Sequence, residues 1–373
     1  MKRSSLLLCL LTFALNSLMS DEISVYISSN SPDAKEPLLL CTLDLETGSL
    51  TPVERYSGIV SPSYLCLSPD GKYLYSTLES GDGRIAAWSI DAASGKLQLI
   101  DIVSCNGSGP CHLSVTPDGR ALLVTNYNSG QISVLPIDPD GQPGPVSQLI
   151  TLSGSGPDKS RQESSHMHFI QAVPNSDLVL ANDLGSDKIR IFRYNESQYL
   201  LLPNSDYPDF AIAPGSGPRH LVYHPTQPWL YLINELSATV NAIAYDPVSG
   251  AMELLGTTAL LPANFDGYNK SAAIRIHPSG SFVYGSNRGD LNSLSIFRVA
   301  EHGELVSVGL QSEGIAWPRD FNIEPTGKFL LVANRATDEV RVFSINPQTG
   351  ELGDTGQTVQ IEKPVCVLFG DAL

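Results

Sequence analysis

Six segments of this chain repeat one pattern at intervals of 47 to 57 residues, and that period constrains the fold more than any other feature. In each, an alternating apolar strand leads to Pro and a short turn, and a second strand follows and ends, in five of the six, on a polar residue. The five strongest read CHLSVTPDGRALLVTN from Cys111, HFIQAVPNSDLVLAND from His168, RHLVYHPTQPWLYLIN from Arg219, AAIRIHPSGSFVYGSN from Ala272 and RDFNIEPTGKFLLVAN from Arg319. SYLCLSPDGKYLYSTL from Ser63 fits with a weaker end, and the turn prolines are Pro69, Pro117, Pro174, Pro225, Pro278 and Pro325. Two further strands are visible after Asn234 (ATVNAIAYDPVSGAMELLG) and Asn334 (DEVRVFSINPQTGELGDTG), each pair joined by a turn that closes on Gly. Units of this length with four short antiparallel strands are blades of a β-propeller. The C-terminal KPVCVLFG reads as a first strand and the N-terminal ISVYISS as a second, so the two ends share a seventh blade. That arrangement closes the ring and leaves no open sheet edge. The expected fold is an all-β, seven-bladed propeller spanning residues 21–373.

Composition agrees. With 31 Gly, 26 Pro and only 17% charged residues, the chain is rich in turns and poor in the residues that build exposed helices. Its formal charge of −16 argues against nucleic acid or an anionic membrane as a partner, because both need a cationic footprint. Residues 1–20 stand apart: Lys2 and Arg3, an apolar run from Leu6 to Leu15, and the small Ser20 before Asp21 follow the order of a secretory signal. The run is short for a bilayer span, so the expectation is export to the periplasm or medium, with no membrane attachment after cleavage. Five cysteines then remain, Cys41, Cys66, Cys105, Cys111 and Cys366, an odd number that does not suggest a disulfide scaffold. Oligomeric state has no signature in the sequence.

Because the blades share one frame, comparing them separates what a blade needs from what a site needs. Nine residues after each Pro stand Leu78, Asn126, Asp183, Asn234, Asn287 and Asn334, a nearly constant column that reads as a turn cap. Six residues before each Pro stand Ser63, Cys111, His168, Arg219, Ala272 and Arg319; ten after stand Glu79, Tyr127, Leu184, Glu235, Arg288 and Arg335. These two columns vary in chemistry. Since the first strand starts and the second ends at the same side of a meander, both columns ring one mouth of the central channel. His168, Arg219, Glu235 and Arg288 fall there on consecutive blades. Two guanidiniums suit a carboxylate, a phosphate or a developing oxyanion, while His168 and Glu235 are candidate acid and base groups. No nucleophile motif appears elsewhere, so activated water is the expected nucleophile. His166 and His168, two apart on a strand, would face one side and could begin a metal site, but no third ligand is evident from spacing. No metal and no cofactor is assigned. The GSGP segments at Gly107, Gly154 and Gly215 recur before first strands and read as connection geometry rather than a phosphate cradle.

RQESSHMHF with NDLGSDKI, GSGPRHLVYHP with INEL, IRIHPSGSFVYGSNRG and WPRDFNIEPTGKFLLVAN resemble, over nearly the whole chain, the seven-bladed lactonase family. That family includes propeller-type 6-phosphogluconolactonase and the fungal carboxy-cis,cis-muconate cyclising enzyme. The resemblance implies a metal-independent hydrolase that opens a sugar lactone. Carried over motif by motif, the cyclising relative's His, two Arg and Glu correspond to His168, Arg219, Arg288 and Glu235, with Arg275, Arg319, Asn334 and His166 as further substrate contacts. The expected partner is a small anionic lactone. Export sets an unphosphorylated sugar lactone beside 6-phosphogluconolactone as a substrate, and a cycloisomerase or a non-catalytic binding platform remains as an alternative.

Overall fold

The computed structural model describes residues 22–79 and 81–372, and residues 1–20, with the expected signal, lie outside the described residues. Seven antiparallel sheets form a closed ring. Blade 1 is the meander Pro62–Leu67, Tyr73–Leu78, Arg84–Ile90 and Leu97–Ser104; the first strands of blades 2 to 6 are Pro110–Val115, Met167–Ala172, Pro218–Tyr223, Asn269–Ile276 and Pro318–Ile323. In blade 7 the C-terminal strand Pro364–Ala372 pairs with Glu22–Ser29, Tyr26 lying opposite Leu368, and Leu38–Asp44 and Leu50–Tyr56 complete the sheet. The chain ends therefore close the ring as the repeat pattern requires. Blade 3 departs from the frame by a fifth short strand, Asp209–Ala211, paired with Lys188–Asn195. All five cysteines among the described residues are free thiols.

The alternating apolar residues of each blade face its two neighbours. The buried apolar residues accordingly sort into seven clusters, one at each blade interface: Leu331 and Val342 of blade 6 meet Val25 and Leu39 of blade 7, and Leu180 and Ile191 of blade 3 meet Leu230 and Leu232 of blade 4. Each such side chain contributes roughly 1.5–3 kcal/mol by burial, so the ring is held by its interfaces rather than by one central core. Directional bonds repeat as well. Tyr26, Tyr75, Tyr231 and Tyr284, each on a second strand, donate their hydroxyls at 2.7 to 3.1 Å to Gly95, Gly141, Gly303 and Gly350 carbonyls in the next blade.

The polar column at the ends of the second strands is structural. Asn126 Nδ2 donates to Ser133 at 2.9 Å, Asn234 Nδ2 to Asn241 at 2.6 Å and Asn287 Nδ2 to Ser295 at 3.0 Å, tying each second strand to the third.

Candidate active site

Every first strand carries a register shift near its start, and this shift builds the site. Pro62 pairs with Leu78 but Tyr64 with Thr77; Pro110 with Asn126 but His112 with Thr125; Met167 with Asp183 but Phe169 with Asn182; Pro318 with Asn334 but Asp320 with Ala333. The extra residues are Ser63, Cys111, His168 and Arg319. The same shift spans Arg219 in blade 4, Ala272 in blade 5 and, in blade 7, Val365. A bulge leaves one residue unpaired and re-aims its side chain, here toward the channel mouth. The second column is pinned beside it by backbone: the Glu79, Tyr127, Glu235 and Arg335 N–H groups donate to the carbonyls of Ser61, Gly109, Gly217 and Trp317. Those four acceptors have φ between 50° and 65°, and each precedes the Pro that opens the first strand. A non-glycine residue in that left-handed region costs about 1–3 kcal/mol.

The mouth is a cavity of about 420 Å³. Its wall holds Arg161, Arg219, Lys270, Arg288, Arg319 and Arg335 against only Glu79 and Glu235, together with Tyr127, His168 and Trp317. On a chain of net charge −16, this is a concentrated positive site. Glu235, 4% exposed, is the hub: its Oε1 accepts from Arg161 at 2.6 Å, and its Oε2 from Arg219 Nε at 3.0 Å and Arg288 at 3.3 Å. Burial alone would raise the Glu235 carboxyl, but Arg288 and Arg219 outweigh it and hold the group well below the usual carboxylate range. Burial pushes the Arg288 guanidinium down to about 9, still charged at neutral pH. Arg219 and Arg288 are fixed further by carbonyls, Arg219 donating to Ala272 at 2.7 Å and Arg288 to Ser271 at 3.1 Å.

His168 is 6% exposed, and its Nδ1 has no hydrogen-bond partner among the described residues. Burial, reinforced by Arg219 and opposed by Glu235, pushes the imidazole well below its ordinary value of 6.5. It is therefore neutral at pH 7, and its Nδ1 is closed off from solvent and left without a protein partner. Arg319 is only loosely paired, 3.5 Å from Glu79, and Arg335 donates to Asn30 at 3.0 Å. Burial and the neighbouring Arg319 charge both lower the Arg335 guanidinium, so this pair on blade 6 carries surplus positive charge.

Residues 24–369 match the family model for Lactonase, 7-bladed beta-propeller. A 6-phosphogluconolactonase of Bacillus subtilis is 33% identical over 347 residues, covering 92% of this chain and 97% of that protein. One from Formosa agariphila is 36% identical, covering 82% and 88%. The chain belongs to the seven-bladed propeller lactonase family. Its fold also superposes on the solved structure of a periplasmic gluconolactonase of Pseudomonas aeruginosa with a TM-score of 0.88 and 33% identity, covering 94% of this chain and 100% of that one.

In this lactonase, His168, Arg219, Glu235 and Arg288 share one cavity wall with Arg319. Three expected contacts lie elsewhere. Arg275 belongs to a separate cavity of about 270 Å³ toward the other end of the channel, where Asp320, Asn322 and the Ile274 carbonyl engage it. Its frame position, three before the turn Pro, is shared by Cys66, Ser114, Gln171, Val222 and Asn322, and all of them line that second cavity. Asn334 is fully buried and caps its own blade, accepting from Ala316 N–H at 2.9 Å and donating to Gly314 O at 2.7 Å. His166 precedes its strand, stacks on Tyr127 with centroids 4.4 Å apart, and bonds the Tyr127 carbonyl and Glu163. The bulge at His168 breaks the alternation that would have set the two imidazoles side by side, and among the described residues no three His, Cys, Asp or Glu converge as metal ligands.

The columns chosen from sequence omitted Arg161, Lys270, Trp317 and Asn30. Arg161 sits in the longest inter-blade insertion, held by Gln162, which is fully buried and bonds Leu184 O and Asp187 at 2.8 Å. The 57-residue spacing across it was the available signal. Lys270 and Trp317 share a third column, eight before the turn Pro.

His112, His168 and His220 are buried and all held below the ordinary 6.5, chiefly by burial. The unfolded chain takes up those protons below pH 6.5 and the folded chain does not, so their stabilising contribution is complete above 6.5 and is lost as pH falls. Glu235 acts in the same direction below its ordinary 4.5. Thermal melts should show Tm decreasing as pH drops from 6.5 to 4.5; a Tm flat through that window would contradict burial of neutral imidazoles.

Proposed function

We propose that this chain is an exported lactonase opening the ring of a sugar-acid lactone, 6-phosphogluconolactone or its unphosphorylated counterpart, with His168 as general base. The observation that carries the reading is a neutral imidazole lining the cavity beside guanidiniums locked in place by one carboxylate. Glu235, engaged by three arginines and held ionised, is a weak base and serves to hold them. His168 takes a proton from water as the oxygen attacks the lactone carbonyl. The developing oxyanion faces Arg219 and Arg288, which are preorganised and need little rearrangement. The C–O bond to the ring oxygen then breaks, and the imidazolium returns its proton to that oxygen to leave a hydroxy acid. Arg319 and Arg335 suit the substrate's phosphate or the product carboxylate.

Export is supported by the pattern of residues 1–20 and by the periplasmic P. aeruginosa relative. The cyclising chemistry and the non-catalytic platform have no counterpart among the relatives named above. The test is hydrolysis of 6-phosphogluconolactone and glucono-1,5-lactone by the purified protein, with spontaneous opening subtracted. Turnover of at least one is expected, with EDTA changing the rate less than about twofold, since the proposed water activation uses an imidazole. No turnover of either would remove the reading.

A further inference from the structure

We propose that Trp317 is a stacking platform for the sugar ring of the substrate and sets a preference for carbohydrate over aliphatic lactones. The inference rests on the lactonase reading of the cavity but comes from a different comparison between blades. In five blades the residue before the first-strand Pro is left-handed: Ser61, Gly109, Gly217, Trp317 and Lys363, with φ from 43° to 65°. Blades 2 and 4 use glycine, which adopts this conformation without a side-chain penalty. Blade 6 instead carries the largest side chain in the alphabet there, and of these five residues only Trp317 borders the cavity. Strain retained on so bulky a side chain, where two other blades show the unstrained choice, points to a use for it.

The surroundings indicate what that use is. Apart from Tyr127, the other residues at the mouth offer charge or hydrogen bonds, and the Tyr127 ring is already stacked on His166 at 4.4 Å. Trp317 is half-buried, and among the described residues no aromatic ring or cation packs on the indole. Its carbonyl accepts the Arg335 N–H at 3.3 Å, and Arg319 follows two residues later, so the apolar face and the unbalanced guanidinium pair occupy one blade. A sugar lactone has complementary parts: C–H groups that favour an indole π-face, and an anionic or polar end for the arginines.

Trp317→Gly separates this role from a structural one because the two predict opposite signs. Relief of the left-handed strain should leave Tm at or above the parent, while KM for glucono-1,5-lactone rises at least about tenfold with kcat within about threefold. Trp317→Phe should restore most of the affinity, and KM for δ-valerolactone should change less than about twofold. A lower Tm with KM unchanged, or equal losses on both lactones, overturns the proposal. A readout independent of turnover is tryptophan emission during titration with gluconate. It should respond in the parent and be silent in Trp317→Phe, whose remaining Trp88 and Trp229 lie outside the cavity. If the parent opens no lactone yet its emission responds, the lactonase reading fails and the platform stands. If lactone is opened while emission and KM are indifferent to residue 317, the platform fails alone.

Discussion

His168→Gln should lower kcat for lactone hydrolysis by about 10²–10⁴, the range expected when a positioned general base is lost. The fold should survive the change. Nδ1 of His168 has no protein partner to strand, and glutamine approximates the volume of the imidazole. Melting temperature within a few degrees of the parent, together with the loss of turnover, would locate the effect in the chemistry. The pH profile adds a second readout. Since the imidazole is held below 6.5, the parent's kcat/KM should stay level from pH 8 down through 6.5 and fall only at more acidic pH, and the variant should lack that acid limb. Parental turnover in His168→Gln would show that another group activates water.

Glu235→Ala should be the most destabilising single change in the cavity, by about 3–5 kcal/mol in denaturant unfolding. The carboxylate is shared by Arg161, Arg219 and Arg288, and its removal leaves Arg219 and Arg288, 2% and 4% exposed, as buried like charges without a counterion. Turnover should collapse as well, because the guanidiniums facing the oxyanion lose the group that orients them. Adding Arg288→Met to the Glu235→Ala chain should recover part of the stability and none of the activity. That recovery distinguishes electrostatic repulsion from a packing defect. A Glu235→Ala protein that unfolds at the parental denaturant concentration would mean that solvent or backbone carbonyls carry the three charges.

Much of the site was legible because a propeller compares its own blades. Columns that vary between blades while turns and caps stay constant isolated His168, Arg219, Glu235 and Arg288, and all four line one cavity. The residues that the structure places away from the mouth, and the one the frame omitted, differ in cause. Strand alternation sets His166 beside His168 only where pairing is regular, and that strand is bulged at His168, whereas Arg275 comes from the family motif and pairs regularly with Tyr284. The Arg275 column consists of residues lining the opposite cavity, which only the folded chain shows. Asn334 belongs to the capping column that sequence comparison had already read as structural. Arg161 comes from an insertion outside the frame, where no blade offers a position to compare.

Sequence alone determined the seven-bladed ring, its closure by the two chain ends and the mouth at which the variable residues gather. These follow from repeat length and apolar alternation, which record local backbone geometry and nothing more is needed to read them. Tertiary structure decided the division of labour among those residues. Whether a carboxyl is a base or a counterion depends on how many guanidiniums reach it, and whether an imidazole can take a proton depends on what else bonds its nitrogens. Both are set by side chains from different blades meeting across the channel, over distances that no spacing along the chain encodes.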